Sequence, residues 1–308
     1  MPKENKMTIL PLHLSDWGIA PIPLPMRIAD DLTLDSIEGV LQPSNFDLWR
    51  DYVAKKDRDD LSSTKAGLIH RFSSEGHIGK PEVDSQDRIY KTFVLLRLIR
   101  PTNERYSNIQ VDFRTGASNV FGFTQPTSTP NTPNTQTFNR FHPEHFAELS
   151  RLLPKFTDFL NSAPRNLIRA VRMFESGYSE ISDPLLQFVS WTIGVESVFS
   201  DDKRPSEDPD LIRWITKKIG PDTDIYSEAE VELFPMRPGP IRVGKVLPDI
   251  IESRNRVVHG VGVPERFDQM GLTSPATGET IHYVDVLREA ASFILRKLIL
   301  LAVEGRDA

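Results

Sequence analysis

The chain has 308 residues, with 43 acidic and 37 basic side chains and a formal net charge of -6. This charge excludes a protein that coats nucleic acid through bulk positive charge, so any nucleic-acid contact must be local. The absence of cysteine excludes disulfides, thiol nucleophiles and thiolate zinc sites. Hydrophobic residues at 39% and charged residues at 26% are typical of a folded globular protein.

Signals for export and membrane insertion are missing from the sequence. The N-terminal run MPKENKMTILPLHLSDWG has no long apolar core followed by a small-residue cleavage site. No stretch of about 18 apolar residues occurs in the chain. The lack of cysteine is compatible with a reducing compartment, so we expect a cytoplasmic protein without a membrane partner.

The first 140 residues predict an α+β domain. Four prolines between residues 11 and 25 favour extended segments and turns there. Residues 85–100 carry apolar side chains at steps of three and four, which predicts a helix that stops at Pro101. The segments IQVDFRT and NVFGFTQ predict a pair of strands joined around Gly116.

Residues 125–137 separate this domain from a region of different character. The segment has three prolines and no apolar residue, so it predicts an exposed loop or linker. We therefore expect an N-terminal domain over residues 1–140. The second domain would span residues 141–308.

The second domain is predicted to be an all-α bundle of five or six helices, because apolar residues recur at helical spacing between proline and glycine boundaries. The first predicted helix begins at Pro143, the second runs from Pro164 to a C-cap at Gly177, and the third begins after an N-cap at Asp183. The fourth covers Asp210–Ile219, the fifth runs from Pro248 to Gly260, and the sixth follows an apolar stripe from Val284 to Leu301.

One cluster in this region concentrates groups suited to phosphodiester chemistry. Arg254, Asn255, Arg256 and His259 lie within six residues on a predicted helix. An arginine binds a phosphate through two hydrogen bonds and stabilises transition-state charge, and a histidine transfers protons near neutral pH. The cluster is a candidate site for phosphodiester chemistry.

Helical geometry predicts how these side chains are arranged. Asn255 and His259 are four residues apart and share a face, so Asn255 is placed to orient the imidazole. Arg254 and His259 are five residues apart, which separates them by about 140° on an ideal helix. The two side chains can meet in one of two ways. Either the long Arg254 side chain swings round the helix, or a second subunit supplies one of the two groups. Glu196 lies on a largely apolar helical stripe, and Arg254 or Arg256 is its expected partner.

The segments GVESVFS and SRNRVVHG together resemble HEPN domains of the ApeA-like branch, over roughly residues 145–305. The family motif is an arginine followed after four to six residues by a histidine, which Arg254 and His259 match. The resemblance assigns Asn255 to the adjoining polar position and Glu196 to the earlier acidic position. Arg256 is expected to be a supporting residue of the site.

The resemblance implies a helical bundle that pairs as a homodimer and cuts RNA without a metal or cofactor. Attack by the ribose 2′-OH would leave a cyclic phosphate and a 5′-OH. It further implies a defence or toxin effector whose partner is an antitoxin or regulatory protein, and an N-terminal domain that senses a trigger or selects the substrate. The alternative is a non-catalytic HEPN module that binds a nucleotide, RNA or a partner protein.

Three other patterns favour structural interpretations. His142 and His145 are three residues apart with no third ligand nearby, which favours a helix start over a metal site. Arg165, Arg169 and Arg172 lie on one helical flank, open to RNA phosphates or to solvent. Trp191 and Trp214 are predicted core residues. The sequence has no Walker loop, GxGxxG, HExxH or GxSxG segment, which argues against common hydrolase designs.

Overall fold

The computed structural model describes most of the second half of the chain and selected parts of the first. The described residues are 6–12, 22–36, 66–74, 79–100, 108–112, 118–121, 141–179, 183–199, 208–225, 240–273, 278 and 280–305. The chain divides into two compact units, one of residues 1–126 with 138–157 and one of residues 127–137 with 158–308. The segment predicted as a linker, residues 125–137, lies outside the described residues.

The first unit contains a six-stranded antiparallel sheet. Its strands are β1 (Lys6–Leu12), β2 (Met26–Ala29), β3 (Leu32–Ser36), β4 (Ala66–Phe72), β5 (Asn108–Asp112) and β6 (Ser118–Phe121). They are arranged in the order β2-β3-β4-β1-β5-β6. The predicted strand pair is confirmed as β5 and β6, with Ile109 opposite Val120. The predicted turn around Gly116 lies outside the described residues.

Helix α1 (Lys80–Ile99) packs on β1, β4 and β5. The sequence predicted its end correctly, but the helix begins five residues before Ser85. Proline is tolerated in the first turn of a helix, and Pro81 occupies that turn. The Glu82 carboxylate accepts the backbone N–H of Gly79 at 2.9 Å, which further stabilises this earlier start.

Polar side chains join α1 to the sheet beneath it. Lys6 Nζ lies 2.6 Å from Glu82 Oε1 in an ion pair with both side chains buried. The hydroxyls of Thr8 and Ser85 share a hydrogen bond of 2.6 Å, and Gln110 Nε2 donates to the Glu82 carbonyl at 2.9 Å. Because buried polar groups are costly unless they are hydrogen-bonded, these contacts fix how α1 lies on β1 and β5.

The second unit is mostly helical. Helix α2 (Pro143–Ser162) begins in the first unit and ends in the second, so the predicted boundary at residue 140 precedes the division that the contacts define. The remaining elements are α3 (Arg165–Ser179), α4 (Pro184–Phe199), α5 (Asp208–Ile219), α6 (Val243–Val258), α7 (Glu265–Asp268), β7 (Gly271–Thr273), β8 (Thr280–His282) and α8 (Tyr283–Val303).

Helix α4 occupies the centre of this unit. It packs most extensively on α3 and α8 and also contacts α5 and α6. Asp183 caps its start as predicted, because the Oδ1 atom accepts the backbone N–H groups of Leu185 at 2.8 Å and Leu186 at 3.0 Å. The apolar stripe predicted for α8 is also confirmed, with Leu287, Ile294 and Leu298 buried among its residues.

A short β-ribbon departs from the all-α expectation for this unit. Strands β7 and β8 pair antiparallel, with Leu272 opposite Ile281. The Thr273 and Thr280 hydroxyls share a hydrogen bond of 3.1 Å across the pair. β-Branched residues on facing positions favour such pairing, but three-residue strands are too short for a clear alternation in the sequence.

In the second unit, the start of α6 and the end of α3 differ from the prediction. Helix α6 begins at Val243, five residues before the expected start at Pro248. Proline removes one backbone hydrogen bond, but burial of Val243, Val246 and Leu247 offsets that loss. Helix α3 continues through Gly177 to Ser179, so Gly177 is an interior residue and not the C-cap.

Gly177 allows α3 and α4 to approach each other closely. A Cβ atom at this position would lie 2.3 Å from Nε1 of the Trp191 indole. Trp191 is 1% exposed, as predicted for a core residue, and its Nε1 donates to the Phe174 carbonyl of α3 at 3.1 Å. Any side chain at residue 177 must therefore displace a buried ring together with its hydrogen bond.

We expect Gly177→Ala to lower the free energy of unfolding by about 2 kcal/mol, because overpacking outweighs the helix propensity of alanine. Urea unfolding followed by tryptophan fluorescence measures this change. Arg172→Ala, on the exposed side of the same helix, is the control and should change stability by less than about 0.5 kcal/mol. Equal stability of the two variants would show that the indole can move without loss.

The Lys6–Glu82 pair predicts acid sensitivity of the first unit. Burial opposes ionisation of Glu82, but hydrogen bonds from Lys6, Ser74 and the Gly79 N–H outweigh it and lower the pKa to about 2. A carboxyl whose folded pKa is lowered contributes stability above its unfolded value, and that stability is lost as the pH falls through the folded pKa.

We therefore expect hydrogen-exchange protection of α1 and β1 to decline as the pH falls from about 4.5 towards 2, after correction for intrinsic exchange. Glu82→Gln should destabilise the unit at pH 7 by about 2 kcal/mol and flatten this decline, since the buried Lys6 loses this carboxylate. Asp87→Asn removes the exposed carboxylate paired with Lys91 on the same helix and serves as the control. An unchanged decline in Glu82→Gln would assign the acid sensitivity to other groups.

Candidate functional site

Helix α6 places the candidate residues at its C-terminal end. Val246 and Ile250 are buried, and the helix packs on α4, α5 and α8. The helix ends in a Schellman motif, because the Val261 N–H bonds the Arg256 carbonyl and the Gly260 N–H bonds the Val257 carbonyl, both at 2.9 Å. Gly260 has a φ of +74°, a conformation that glycine adopts without strain. The predicted end of this helix is therefore confirmed.

Arg254 points towards α4, where it forms an ion pair with Glu196. The side chains are 22% and 19% exposed, so the pair lies at the edge of the core. Arg254 Nη1 also donates to Asn255 Oδ1 at 2.6 Å. The sequence expectation that Glu196 meets an arginine of this cluster is realised with Arg254. These contacts hold the guanidinium in one orientation.

Asn255 links Arg254 to a second carboxylate. Its Nδ2 donates to Asp208 Oδ2 at 2.5 Å, and Asp208 is the first residue of α5. Glu196, Arg254, Asn255 and Asp208, which we call the α4–α6–α5 network, therefore join three helices. No sequence pattern indicates the Asp208 contact, because an acidic residue at a helix start is ordinarily explained by the helix dipole.

The environment of this network raises the pKa of Glu196. Burial raises the pKa of Glu196, Arg254 lowers it in opposition, and nearby Asp208 raises it further. The net shift is upwards, so the attraction of Arg254 does not fully offset the removal of the carboxylate from water.

His259 lies apart from the network. It is the C-cap residue of α6, and its side chain is exposed. Among the described residues, its imidazole makes no hydrogen bond to Arg254 or Asn255. The amide of Asn255 instead bonds Arg254 and Asp208, which differs from the expectation that it orients His259. Arg256 is half-buried in the last turn of the helix.

Other residues considered from the sequence occupy ordinary structural positions. His145 Nδ1 accepts the backbone N–H of His142 at 3.0 Å, which satisfies a donor at the start of α2. Within the described ranges, no group of three or more His, Asp or Glu side chains could hold a metal ion. Arg165, Arg169 and Arg172 are exposed on α3. Trp214 is half-buried against Phe199.

No family model, curated protein sequence or solved structure gives a significant match to this chain. In the described part of the chain, the helices are too short or too polar to span a membrane.

The Glu196–Arg254 pair predicts unequal effects of removing its two members. Glu196→Gln should change the free energy of unfolding by less than about 1 kcal/mol, because burial already disfavours the carboxylate. Arg254→Met should reduce it by about 2 kcal/mol, since it leaves Glu196 beside Asp208 without the guanidinium. Thermal and urea unfolding of both variants and of the double variant measure these effects.

The pH dependence of Arg254→Met gives an independent check. A carboxyl with a raised folded pKa contributes stability below its unfolded pKa and loses it as the pH rises through the folded value. The deficit of Arg254→Met should therefore grow as the pH rises above the ordinary glutamate pKa of 4.5, and adding Glu196→Gln should relieve it. A deficit that is constant with pH, or that persists in the double variant, would contradict this account.

Proposed function

We propose that the second unit is a HEPN-type endoribonuclease module that cuts RNA without a metal ion, using the C-terminal end of α6. One observation carries the proposal: Arg254 is held in a fixed orientation on the same helix end that presents His259 to solvent. A pre-positioned guanidinium and an accessible imidazole are the two groups that metal-independent phosphodiester cleavage requires.

Arg254 retains the capacity to bind phosphate in spite of its ion pair. A guanidinium has five N–H donors, and the hydrogen bonds to Glu196 and Asn255 use two of them. The side chain keeps 22% of its surface exposed. The remaining donors would bind a non-bridging phosphate oxygen and stabilise the charge that builds up in the transition state. Arg256 adds a second positive charge two residues further along the helix.

His259 would transfer the proton in this reaction. The ribose 2′-oxygen forms a bond to the adjacent phosphorus while the bond from phosphorus to the 5′-oxygen breaks. The 2′-OH proton is removed by a base, and the departing 5′-oxygen takes up a proton, so a cyclic phosphate and a 5′-OH result. The exposed imidazole is accessible for these transfers.

The separation of the two groups supports a site shared between two copies of the chain. Arg254 points to Glu196 on α4, whereas His259 lies beyond the last turn of α6. In a homodimer paired through these helix ends, Arg254 of one copy and His259 of the other could bind one phosphate. On this proposal, the protein is a cytoplasmic defence or toxin effector, controlled by an antitoxin or another regulatory protein.

A non-catalytic HEPN module is the second candidate. The pairing of Arg254 with Glu196 favours it, since the carboxylate neutralises part of the charge that would attract a phosphate. Such a module would bind a nucleotide, RNA or a partner protein at the same helix end without turnover.

Cleavage of mixed cellular RNA in EDTA by wild type, His259→Ala and His282→Ala tests the proposal. His259→Ala should reduce the rate by at least about 100-fold, the usual contribution of a general acid or base. His282 is also exposed, at the start of α8, and its replacement should leave the rate unchanged. The wild-type products should carry cyclic-phosphate ends.

RNA binding by the same three proteins separates the two candidates. Binding without cleavage by wild type would favour the non-catalytic module. Cleavage that survives in His259→Ala, or that stops in EDTA, would rule out the proposed chemistry.

A further inference from the structure

A cavity of about 370 Å³ lies within the second unit, between the start of α4, the segment after α6 and the first turns of α8. This volume falls within the range of about 300–1,000 Å³ that is usual for small-molecule sites. Its walls combine apolar side chains with one acidic and one basic group. The lining residues are Asp183, Pro184, Leu185, Phe188, Val263, Val284 and Arg288.

Arg288 supplies a buried positive charge to this cavity. The residue is 3% exposed, and Nη2 donates to Asp285 Oδ1 at 2.8 Å. Among the described residues, its buried Nε atom has no hydrogen-bond partner. Burial lowers the pKa of Arg288, and the charges of Asp285 and Glu289 oppose that shift only in part. A guanidinium with free donors in such a site is stabilised by an additional anion.

Asp183 supplies the opposite charge. Its Oδ1 accepts the two backbone N–H groups at the start of α4, and in the described part of the chain Oδ2 has no hydrogen bond. A carboxylate oxygen at the edge of an apolar cavity attracts an ammonium group. A simple carboxylic acid would meet repulsion from Asp183, and a simple amine would meet repulsion from Arg288.

We propose that this cavity binds an apolar α-amino acid, with its carboxylate on Arg288, its ammonium on Asp183 and its side chain against Leu185, Phe188 and Val263. Such a ligand is small, carries one positive and one negative charge with no net charge, and places its apolar side chain against the apolar walls. This inference goes beyond the proposed ribonuclease activity, because it assigns a ligand to a cavity that the cleavage step does not use.

Isothermal titration of the full-length protein with L-leucine tests the inference. Leucine should bind saturably with one site per chain. Leucinamide lacks the carboxylate and N-acetyl-leucine lacks the ammonium, so each should bind at least about 10-fold more weakly. Adenosine serves as an uncharged heterocyclic comparison ligand. Tighter binding of adenosine, or equal binding of the three leucine compounds, would overturn the assignment.

Two tryptophan substitutions in one loop place the ligand. Val263→Trp fills the cavity and should abolish leucine binding, whereas Val261→Trp changes an exposed residue of the same loop and should leave the affinity unchanged. Asp183→Asn keeps an oxygen for the helix cap but removes the charge, and should weaken leucine at least about 10-fold.

Failure of leucine, valine and phenylalanine to bind the wild type would overturn the inference, as would equal leucine affinities of the two tryptophan variants. RNA cleavage is measured separately, so loss of one activity without the other distinguishes this inference from the proposed function.

Discussion

The second unit depends on the burial of α4, a helix of which little is exposed to solvent. Residues on every side of it are buried, including Phe188, Trp191 and Val195. A helix that is apolar all round must be covered by neighbours, and α3, α5, α6 and α8 provide that cover. Close approach is possible only where side chains are small, as at Gly177 against Trp191 and at Gly194 against Leu295. The positions of the surrounding helices follow from this central helix.

The candidate site arises where this apolar packing meets a charge. Glu196 is the only carboxylate on α4, and it lies at the margin of the buried surface. A carboxylate there requires a donor, and Arg254 of α6 provides one. The ion pair contributes little net stability after both groups lose water, but it restricts which residues of α6 can face α4. Structural and catalytic roles of Arg254 are therefore compatible, since both require one fixed orientation.

Sequence patterns predicted the helices better than their ends. The apolar periodicity of residues 85–100 and of the last helix is sufficient to predict that these segments are helical, because burial and helical spacing coincide there. Pro248 and Gly177 were misinterpreted as boundaries, since tertiary packing decides whether a helix tolerates proline or needs glycine. The short strands β7 and β8 escaped prediction because three residues carry almost no periodic signal.

The site was only partly predictable for a similar reason. The spacing of Asn255 and His259 predicts a shared helical face, but a shared face does not decide which partner the Asn255 amide bonds. The helix ends at Val258, and the side chain of Asn255 bonds Arg254 and Asp208 instead of the imidazole of His259. Asp208 is 47 residues away from Asn255 in sequence, and no local pattern indicates that contact. Contacts between distant residues depend on how helices pack, which a single sequence does not specify.

The loop after α6 connects the candidate site to the cavity at the start of α4 through backbone conformation. Gly260 and Gly262 have φ values of +74° and +79°, which are unfavourable for residues with a Cβ atom. No atom lies within 4 Å of a Cβ at either position, so conformation alone and not space requires glycine. Four residues span at most about 14 Å, which keeps Val263 near His259. Gly260 and Gly262 therefore set the backbone path from His259, whose imidazole is exposed, to Val263 in the wall of the cavity.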